Sequence, residues 1–529
     1  MCPKWHSLAA WLWLFAVAAA LGAAPRAHAA EPDAGALYAA HCAACHGAGR
    51  LGGQGPALLP ENLRRLRKTK ASQVIANGGA GTQMPGFSER LSPAEIEALT
   101  AFVYRPLPRV PKWGAAEIAA SRVVDAAAMA LGDRPVFDAD PLNLFVVVES
   151  GDHHVTILDG DRLEPIHRFP SRFALHGGPK FSPDGRFVYF ASRDGWVTKF
   201  DLYNLVVAAE VRAGINTRNL AISADGRFLA VANYLPHTLV LLNATDLSLR
   251  RVIPAVDRTG KESSRVSAVY QARPRNSFIV ALKDIPEIWE IATDESAKPV
   301  YTGMVHSFEK GMEEAIPASQ GLFALRRIAI EEPLDDFFFD QSYRHLFGSS
   351  RDGGRGVVVN LNVGRPIASV DLPGLPHLGS GITWRYQGRP VMATPHLKEG
   401  KVSIIDMTDW RVIETLETLG PGFFMRSHEN TPYAWVDVFF GPNRDTLHVI
   451  DKRSLEIVKT LRPEPGKTAA HVEFTRDGRY ALVSLWELDG ALIVYDAATL
   501  EEVKRIPMSK PAGKYNVYNK ITFSAGTSH

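Results

Sequence analysis

One pattern recurs from about residue 140 to the end of the chain, and it restricts the possible folds more than any other feature. A turn leads into a short β-rich run, a polar turn, a second β run ending in Asp, and another turn. Ser182-Pro183-Asp184-Gly185-Arg186 precedes Phe187-Val188-Tyr189-Phe190 and runs on to Phe200-Asp201. Ser223-Ala224-Asp225-Gly226-Arg227 and Thr475-Arg476-Asp477-Gly478-Arg479 open equivalent units, and degenerate copies start near Leu142, Arg275, Tyr343, Arg389 and Thr431. Asp-Gly favours a tight turn and the flanking runs alternate in polarity, so each unit reads as consecutive antiparallel hairpins. Eight units at a mean spacing of about 48 residues match the period of propeller blades. The expected fold is mainly β, an eight-bladed β-propeller over residues 136–529. The spacing is loosest between Glu290 and Tyr343, which predicts an insertion there.

The N-terminal segment 1–30 reads as an export signal rather than structure. Lys4 and His6 precede an apolar run from Leu8 to Leu21, and Ala27-His28-Ala29 supplies a small-x-small cleavage site. That run is too short and Ala-rich for a membrane span, so cleavage near Ala29 or Ala30 and a periplasmic product are expected. About 500 residues then remain, enough for two domains. The net charge of +2 gives no global pull toward nucleic acid. Cys2 would leave with the signal, so Cys42 and Cys45 would be the only mature thiols and structural disulfides are excluded.

Those two thiols stand in Cys42-Ala43-Ala44-Cys45-His46, the attachment signature of a c-type haem. At this spacing both sulfurs reach two haem vinyl groups from one helical turn, while the histidine reaches the iron. A thioredoxin-like pair would need a preceding strand and no such histidine. Here a helical stretch, Asp33 to Ala40, leads in. One covalent haem c per chain is expected, with His46 as proximal ligand. Met84, in Gly81-Thr82-Gln83-Met84-Pro85-Gly86, is placed to supply the second ligand, since a polar loop is poor ground for a core methionine. A thioether raises the iron's potential, which suits an electron acceptor. A helix over Ser92–Tyr104 closes a small all-α cytochrome c domain (31–108), and 109–135 reads as linker. The basic run Arg64 to Lys70 reads as a solvated face, with docking of an acidic partner as its functional alternative.

A C-x-x-C-H domain ahead of an eight-bladed propeller resembles the cytochrome cd1 group. Leu175-His176-Gly177, followed by Ser182 to Arg186 and Ser192-Arg193-Asp194-Gly195, is similar to the segment that supplies the proximal haem d1 ligand there. Asn233-Tyr234-Leu235-Pro236 and Gly513-Lys514-Tyr515-Asn516-Val517-Tyr518-Asn519 are similar too. The resemblance implies His176 as d1 iron ligand, Arg193 and Arg218 as partners of the d1 carboxylates, and Tyr234 and Trp486 as pocket lining. The nitrite reductases of the group carry two distal histidines that protonate nitrite. His377, in Leu375-Pro376-His377-Leu378-Gly379, matches the second. Where the first belongs, the chain reads Asp335-Asp336-Phe337-Phe338-Phe339-Asp340. An arginine expected near Gly151 is also missing. Losing one proton donor and one cation argues against nitrite reduction.

The string Arg50-Leu51-Gly52-Gly53-Gln54-Gly55-Pro56 to Leu63 resembles instead the branch of the group that acts in haem d1 biosynthesis, the dihydro-haem d1 dehydrogenases. The resemblance implies oxidation of a precursor propionate to an acrylate, with dihydro-haem d1 as substrate and haem d1 as product. Such a reaction removes two protons and two electrons. A base must reach the side chain, and the electrons can leave one at a time to haem c. No G-x-G-x-x-G follows a strand to suggest NAD or flavin. His377 is the first candidate for base or distal d1 ligand. His471 is the second, and Tyr515 a hydrogen-bond donor or pocket wall. The rival readings are a nitrite reductase, a haem d1 carrier, and a c-type cytochrome whose propeller docks proteins. Implied partners are an electron-acceptor protein and, through the pathway, nitrite reductase and other haem d1 biosynthesis proteins. His153-His154 makes a poor metal pair, because adjacent strand residues point to opposite faces.

Overall fold

A computed structural model describes residues 31–53, 55–64, 66–78, 84–109, 111–301, 318–349 and 354–523. The proposed export signal and the Gly81–Gln83 part of the Met84 loop lie outside the described residues.

The strands form eight four-stranded antiparallel sheets, here called blades 1 to 8 in chain order. Blade 1 takes its innermost strand from the C-terminus: Pro511–Asn516 pairs with Leu144–Glu149, Tyr515 opposite Val146. This closure joins the two ends of the repeat array within one blade and closes the ring. The turn motif explains itself locally. Ser182 Oγ donates to Asp184 Oδ1 at 2.5 Å and accepts from the Phe187 amide at 2.9 Å. Ser223 with Asp225 and Thr475 with Asp477 repeat the arrangement at 2.6 Å each. A hydroxyl, a carboxylate and a glycine thus close the inner hairpin of blades 2, 3 and 8. The expected insertion falls in blade 4, between Glu287–Ala292 and its outer partner Leu325–Ala329. Its described part includes a small hairpin of Val300–Tyr301 and Ala318–Ser319.

The N-terminal domain packs helices Ala34–His41, Lys68–Asn77 and Pro93–Val103 around Tyr38, Leu63, Phe87, Leu91, Ile96, Leu99 and Val103. Ser92 and Glu95 form a reciprocal capping box at the start of the last helix, as the Ser-Pro-x-Glu sequence dictates. The segment read as linker is not a free tether. Its helix Ala115–Ser121 buries Ile118 completely among blade 2 and 3 residues, and Val123–Val124 adds a fifth strand to blade 2. The chain ends its described part with a helix, Val517–Thr522, lying under the inner strands, where Asn519 Nδ2 donates to Glu473 and to the Phe474 carbonyl.

Candidate functional site: a haem c pocket and a cationic propeller channel

In the N-terminal domain, His46 is 7% exposed and its Nδ1 lies 2.8 Å from the Pro56 carbonyl. A carbonyl only accepts, so Nδ1 carries the proton and Nε2 keeps the lone pair a metal needs. Burial also lowers the His46 pKa, favouring the neutral ring. Cys42 and Cys45 are both free thiols, and Met84 packs at the edge of the same domain core as Cys42. This donor set fits a covalent c-type haem. In the basic run, Arg64, Arg67, Lys68 and Lys70 are exposed.

The propeller residues implied by the resemblance come together at one end of the central channel. His176 lies in the loop entering blade 2, with Nδ1 2.7 Å from the Arg218 carbonyl, so its Nε2 is again the acceptor nitrogen. Arg193 Nη2 meets that Nε2 at 2.7 Å. Arg218 Nη1 stands 3.2 Å from the same ring, and its Nη2 reaches Asp336 at 4.0 Å. Tyr234 lies beside Arg218, within hydrogen-bonding reach of it.

Asp336 carries the ring onward. It accepts from Tyr270 Oη at 2.9 Å, and Gly379, two residues beyond His377, approaches it so closely that a Cβ there would lie 2.3 Å from its Oδ2. His377 caps a short turn and its Nδ1 lies 2.5 Å from the Phe423 carbonyl, which Ser380 Oγ also reaches at 2.7 Å. The Phe423 and Phe424 amides donate to buried Asp437 Oδ1 at 2.7 and 3.0 Å, and the His471 amide donates to its Oδ2 at 3.2 Å. His471 packs edge-to-face on Phe424 and on Tyr515, 4.8 and 5.2 Å between centroids. Tyr515 in turn abuts Gly178 of the His176 loop, where a Cβ would sit 3.2 Å from its ring and φ is +69°. Only glycine serves there. The circuit is closed, and every propeller residue singled out in the sequence lies on it or against it. Trp486 belongs through Phe424 and Phe439, at 6.1 and 4.8 Å.

Several contributors were not singled out from sequence. Lys514, fully buried, donates to the His471 carbonyl and to Ser484 Oγ at 2.8 Å. Arg426, 4% exposed, faces Glu473 at 3.5 Å. Lys180 and Lys520 line a pocket together with Phe181, Tyr270 and Ile521. A lysine at an inward position of an otherwise apolar strand is the one signal that would have revealed Lys514. Asp437, Phe423 and Phe424 carry no signal of their own, because their role comes from blades meeting in space.

The electrostatics suit an anionic guest. Burial first, then Arg426, hold Lys180 down to about 8, and burial holds Lys514 and Lys520 well below their ordinary range. Cations so depressed gain from any carboxylate brought among them. Burial, then Lys514 and Arg426, push His471 well below the usual histidine value, so its ring is neutral at physiological pH. Its Nδ1 is buried with no hydrogen-bond partner. His471 also sits at φ +52°, within a bulge between Ala470 and Val472. A strained backbone and an orphaned ring nitrogen together mark a position held for a ligand. Aromatic walls, acceptor Nε2 nitrogens on His176 and His377, and clustered buried cations fit a carboxylate-bearing tetrapyrrole. His153 and His154 belong to no group of three possible metal ligands among the described residues.

Fold and site define a class: a c-type cytochrome domain carried on a propeller built to hold a second haem. The profile of the cytochrome D1 heme domain matches residues 139–311 and 318–520, and that of cbb3-type cytochrome c oxidase subunit III matches 29–103. The "Dihydro-heme d1 dehydrogenase" of Pseudomonas aeruginosa is 58% identical over 95% of this chain and 97% of its own length. A "Nitrite reductase" of Stutzerimonas stutzeri is 24% identical over 98% of both. The solved structure "Dihydro-heme d1 dehydrogenase NirN in complex with DHE" superposes with a TM-score of 0.85 at 58% identity, over 92% of this chain and 99% of that one. The chain belongs to the cytochrome D1 haem-domain family, and within it to the dihydro-haem d1 dehydrogenases.

Proposed function

We propose that the protein oxidises a propionate side chain of dihydro-haem d1 to the acrylate of haem d1 and passes the electrons to its own haem c. The observation that carries this is the neutral, orphaned His471 Nδ1 beside Tyr515, at the edge of a pocket rich in cations. The sequence ranked His377 first as base. His377 Nδ1 is held by Phe423, and its Nε2 is suited to face the metal, whereas His471 offers an unengaged nitrogen. We therefore assign His471 as the base and His377 as the distal ligand.

In this reading His176 Nε2 meets the substrate iron once Arg193 moves from it to a substrate carboxylate. Arg218 and Tyr234 hold carboxylates on the same side, and Trp486 and Tyr515 pack the ring edge. His471 accepts a proton from the saturated side chain, and the deep cations hold its carboxylate in place. Haem c, attached at Cys42 and Cys45 and ligated by His46 and Met84, supplies one-electron acceptance when bound. One such haem per chain, a periplasmic location after cleavage of the export signal, and an external electron acceptor complete the proposal. No helix among the described residues is long and apolar enough to cross a membrane. Nitrite reductase and other haem d1 biosynthesis proteins are the expected pathway partners.

The test is to mix the protein anaerobically with dihydro-haem d1 and an added one-electron oxidant. Product lighter by two mass units is expected. Precursor bound tightly and recovered unchanged would instead identify a carrier.

A further inference from the structure

One buried side chain links the loop around His46 to the segment around Arg193. Arg212, 5% exposed, ends the outer strand of blade 2. Its Nη2 donates to the carbonyl of Leu51, in the loop that follows the C-x-x-C-H helix, and its Nε donates to the Asp194 carbonyl at 2.8 Å. That loop holds both ends of His46: the Gly52 amide donates to the His46 carbonyl at 2.9 Å, and Pro56 accepts from the His46 ring. On the propeller side, Asp194 adjoins Arg193, which meets His176 Nε2 at 2.7 Å. The Arg193 backbone is pinned in turn by Ala174 at 3.0 Å and Thr217 at 3.3 Å.

The surroundings fix Arg212 rigidly. Trp113 lies 4.6 Å under its guanidinium and donates Nε1–H to its carbonyl at 2.8 Å. Ser121 Oγ accepts from its amide at 2.9 Å. Beside it, Ala57 and Leu59 of the cytochrome domain pack against Ile215 and Leu235 of blade 3, and Asn62 donates to the Ile215 carbonyl at 3.2 Å. Among these contacts only Arg212 engages the backbone of the His46 loop and the backbone next to Arg193 at once. A rigid fork of five donors suits that double duty, where the point charge of lysine would not.

We propose that Arg212 is the positioning residue that couples the oxidation pocket to haem c, setting the path by which electrons leave the substrate. This rests on the proposed oxidation. Each turnover releases two protons to bases of the pocket and two electrons. Each electron reduces haem c iron from ferric to ferrous, and a one-electron acceptor such as ferricyanide reoxidises it in between. Arg212 touches neither reacting group. It holds the His46 loop and the Arg193 segment in one register.

The experiment uses full-length ferric protein, mixed anaerobically with dihydro-haem d1 while haem c reduction is followed optically. Arg212→Met is expected to bind the precursor within about threefold of wild type but to reduce haem c at least tenfold more slowly. Arg212→Lys, with its charge and one donor, should fall between. Two readouts need no precursor. Ascorbate should reduce haem c of Arg212→Met at the wild-type rate, because the haem c site is intact. Trypsin should cut after exposed Arg109 or Lys112 at least fivefold faster, because Trp113 has lost the guanidinium stacked on its ring. If Arg212→Met does not fold, Trp113→Phe keeps the ring, loses the Nε1 donor, and should slow precursor-driven reduction severalfold. Reduction in Arg212→Met as fast as in wild type overturns the proposal. So does an equal slowing with ascorbate, which would put the fault in haem c itself. A wild type that binds the precursor yet never reduces its haem c refutes the oxidation instead.

Discussion

Asp437 offers the sharpest test of how the pocket is held together. It lies 1% exposed and accepts three backbone amides, from Phe423, Phe424 and His471. Burial raises its carboxyl from 3.8 to about 6 against the pull of those donors. A carboxyl raised on folding binds its proton more readily in the folded state. Wild-type protein therefore gains stability as pH falls through 6, at about 1.4 kcal/mol per pH unit until the unfolded value is reached. Asp437→Asn keeps an oxygen for the Phe423 and Phe424 amides but has no titrating group and leaves the His471 amide unmet. Other groups cancel in the comparison. Between pH 7.5 and pH 5 the stability difference, wild type minus Asp437→Asn, should rise by about 1.4 kcal/mol in urea unfolding. Asp437→Ala leaves all three amides without an acceptor, each unmet buried donor costing about 1–3 kcal/mol, and should lose about 3–5 kcal/mol after pocket water satisfies some of them. In both variants His471 loses the bond that sets its backbone, so turnover should fall with binding retained. A wild-type-minus-Asn difference flat across this pH range would refute the burial argument, and full turnover in Asp437→Ala would refute the positional one.

Other expectations follow from the same geometry. Met84→Ala should keep its haem stain on a denaturing gel but lose the near-infrared sulfur-to-iron band; an unchanged band removes Met84 from the site. Single truncations of Arg193 or Arg218 should each weaken precursor binding about ten- to hundredfold, from charge-assisted pairs of about 1.5–3 kcal/mol, with haem c spectra unchanged. His176→Ala should weaken it at least as much; equal affinity would place the cofactor elsewhere. His471→Ala should bind the precursor yet turn over about 10²–10⁴ slower. Because its pKa lies well below 6.5, the wild-type proton-transfer step should show no acid limb near pH 6.5. A limb there would count against His471 as the base.

The fold was legible because the repeat is chemical as well as periodic. Ser or Thr, then Asp-Gly, bonds to itself within the inner hairpins of blades 2, 3 and 8, so those turns declare themselves without tertiary context. The cytochrome c domain was legible for the same reason, with Cys45 and His46 on the short helix Ala43–His46 and Cys42 at its cap. The linker was misjudged in character. Ala115–Ser121 is too short and Ala-rich to announce burial, and only the blade 2 surface makes Ile118 a core residue. In the pocket, residues with distinctive neighbours, such as His176 and Tyr515, could be found by resemblance. Asp437 and Arg426 could not, since charged residues on strands usually face solvent and only ring closure turns these inward. The order of His377 and His471 likewise depended on which ring nitrogen already has a partner.

The central claim is that one chain both binds the precursor and takes its electrons. The most direct measurement is an anaerobic single turnover without added oxidant, at two ferric chains per dihydro-haem d1. Haem c reduction is followed optically and the extracted tetrapyrrole by mass. Since each haem c accepts one electron, two reduced haem c groups should appear for every molecule lighter by two mass units. Haem c that stays ferric while the precursor is recovered unchanged from the bound complex would contradict the account.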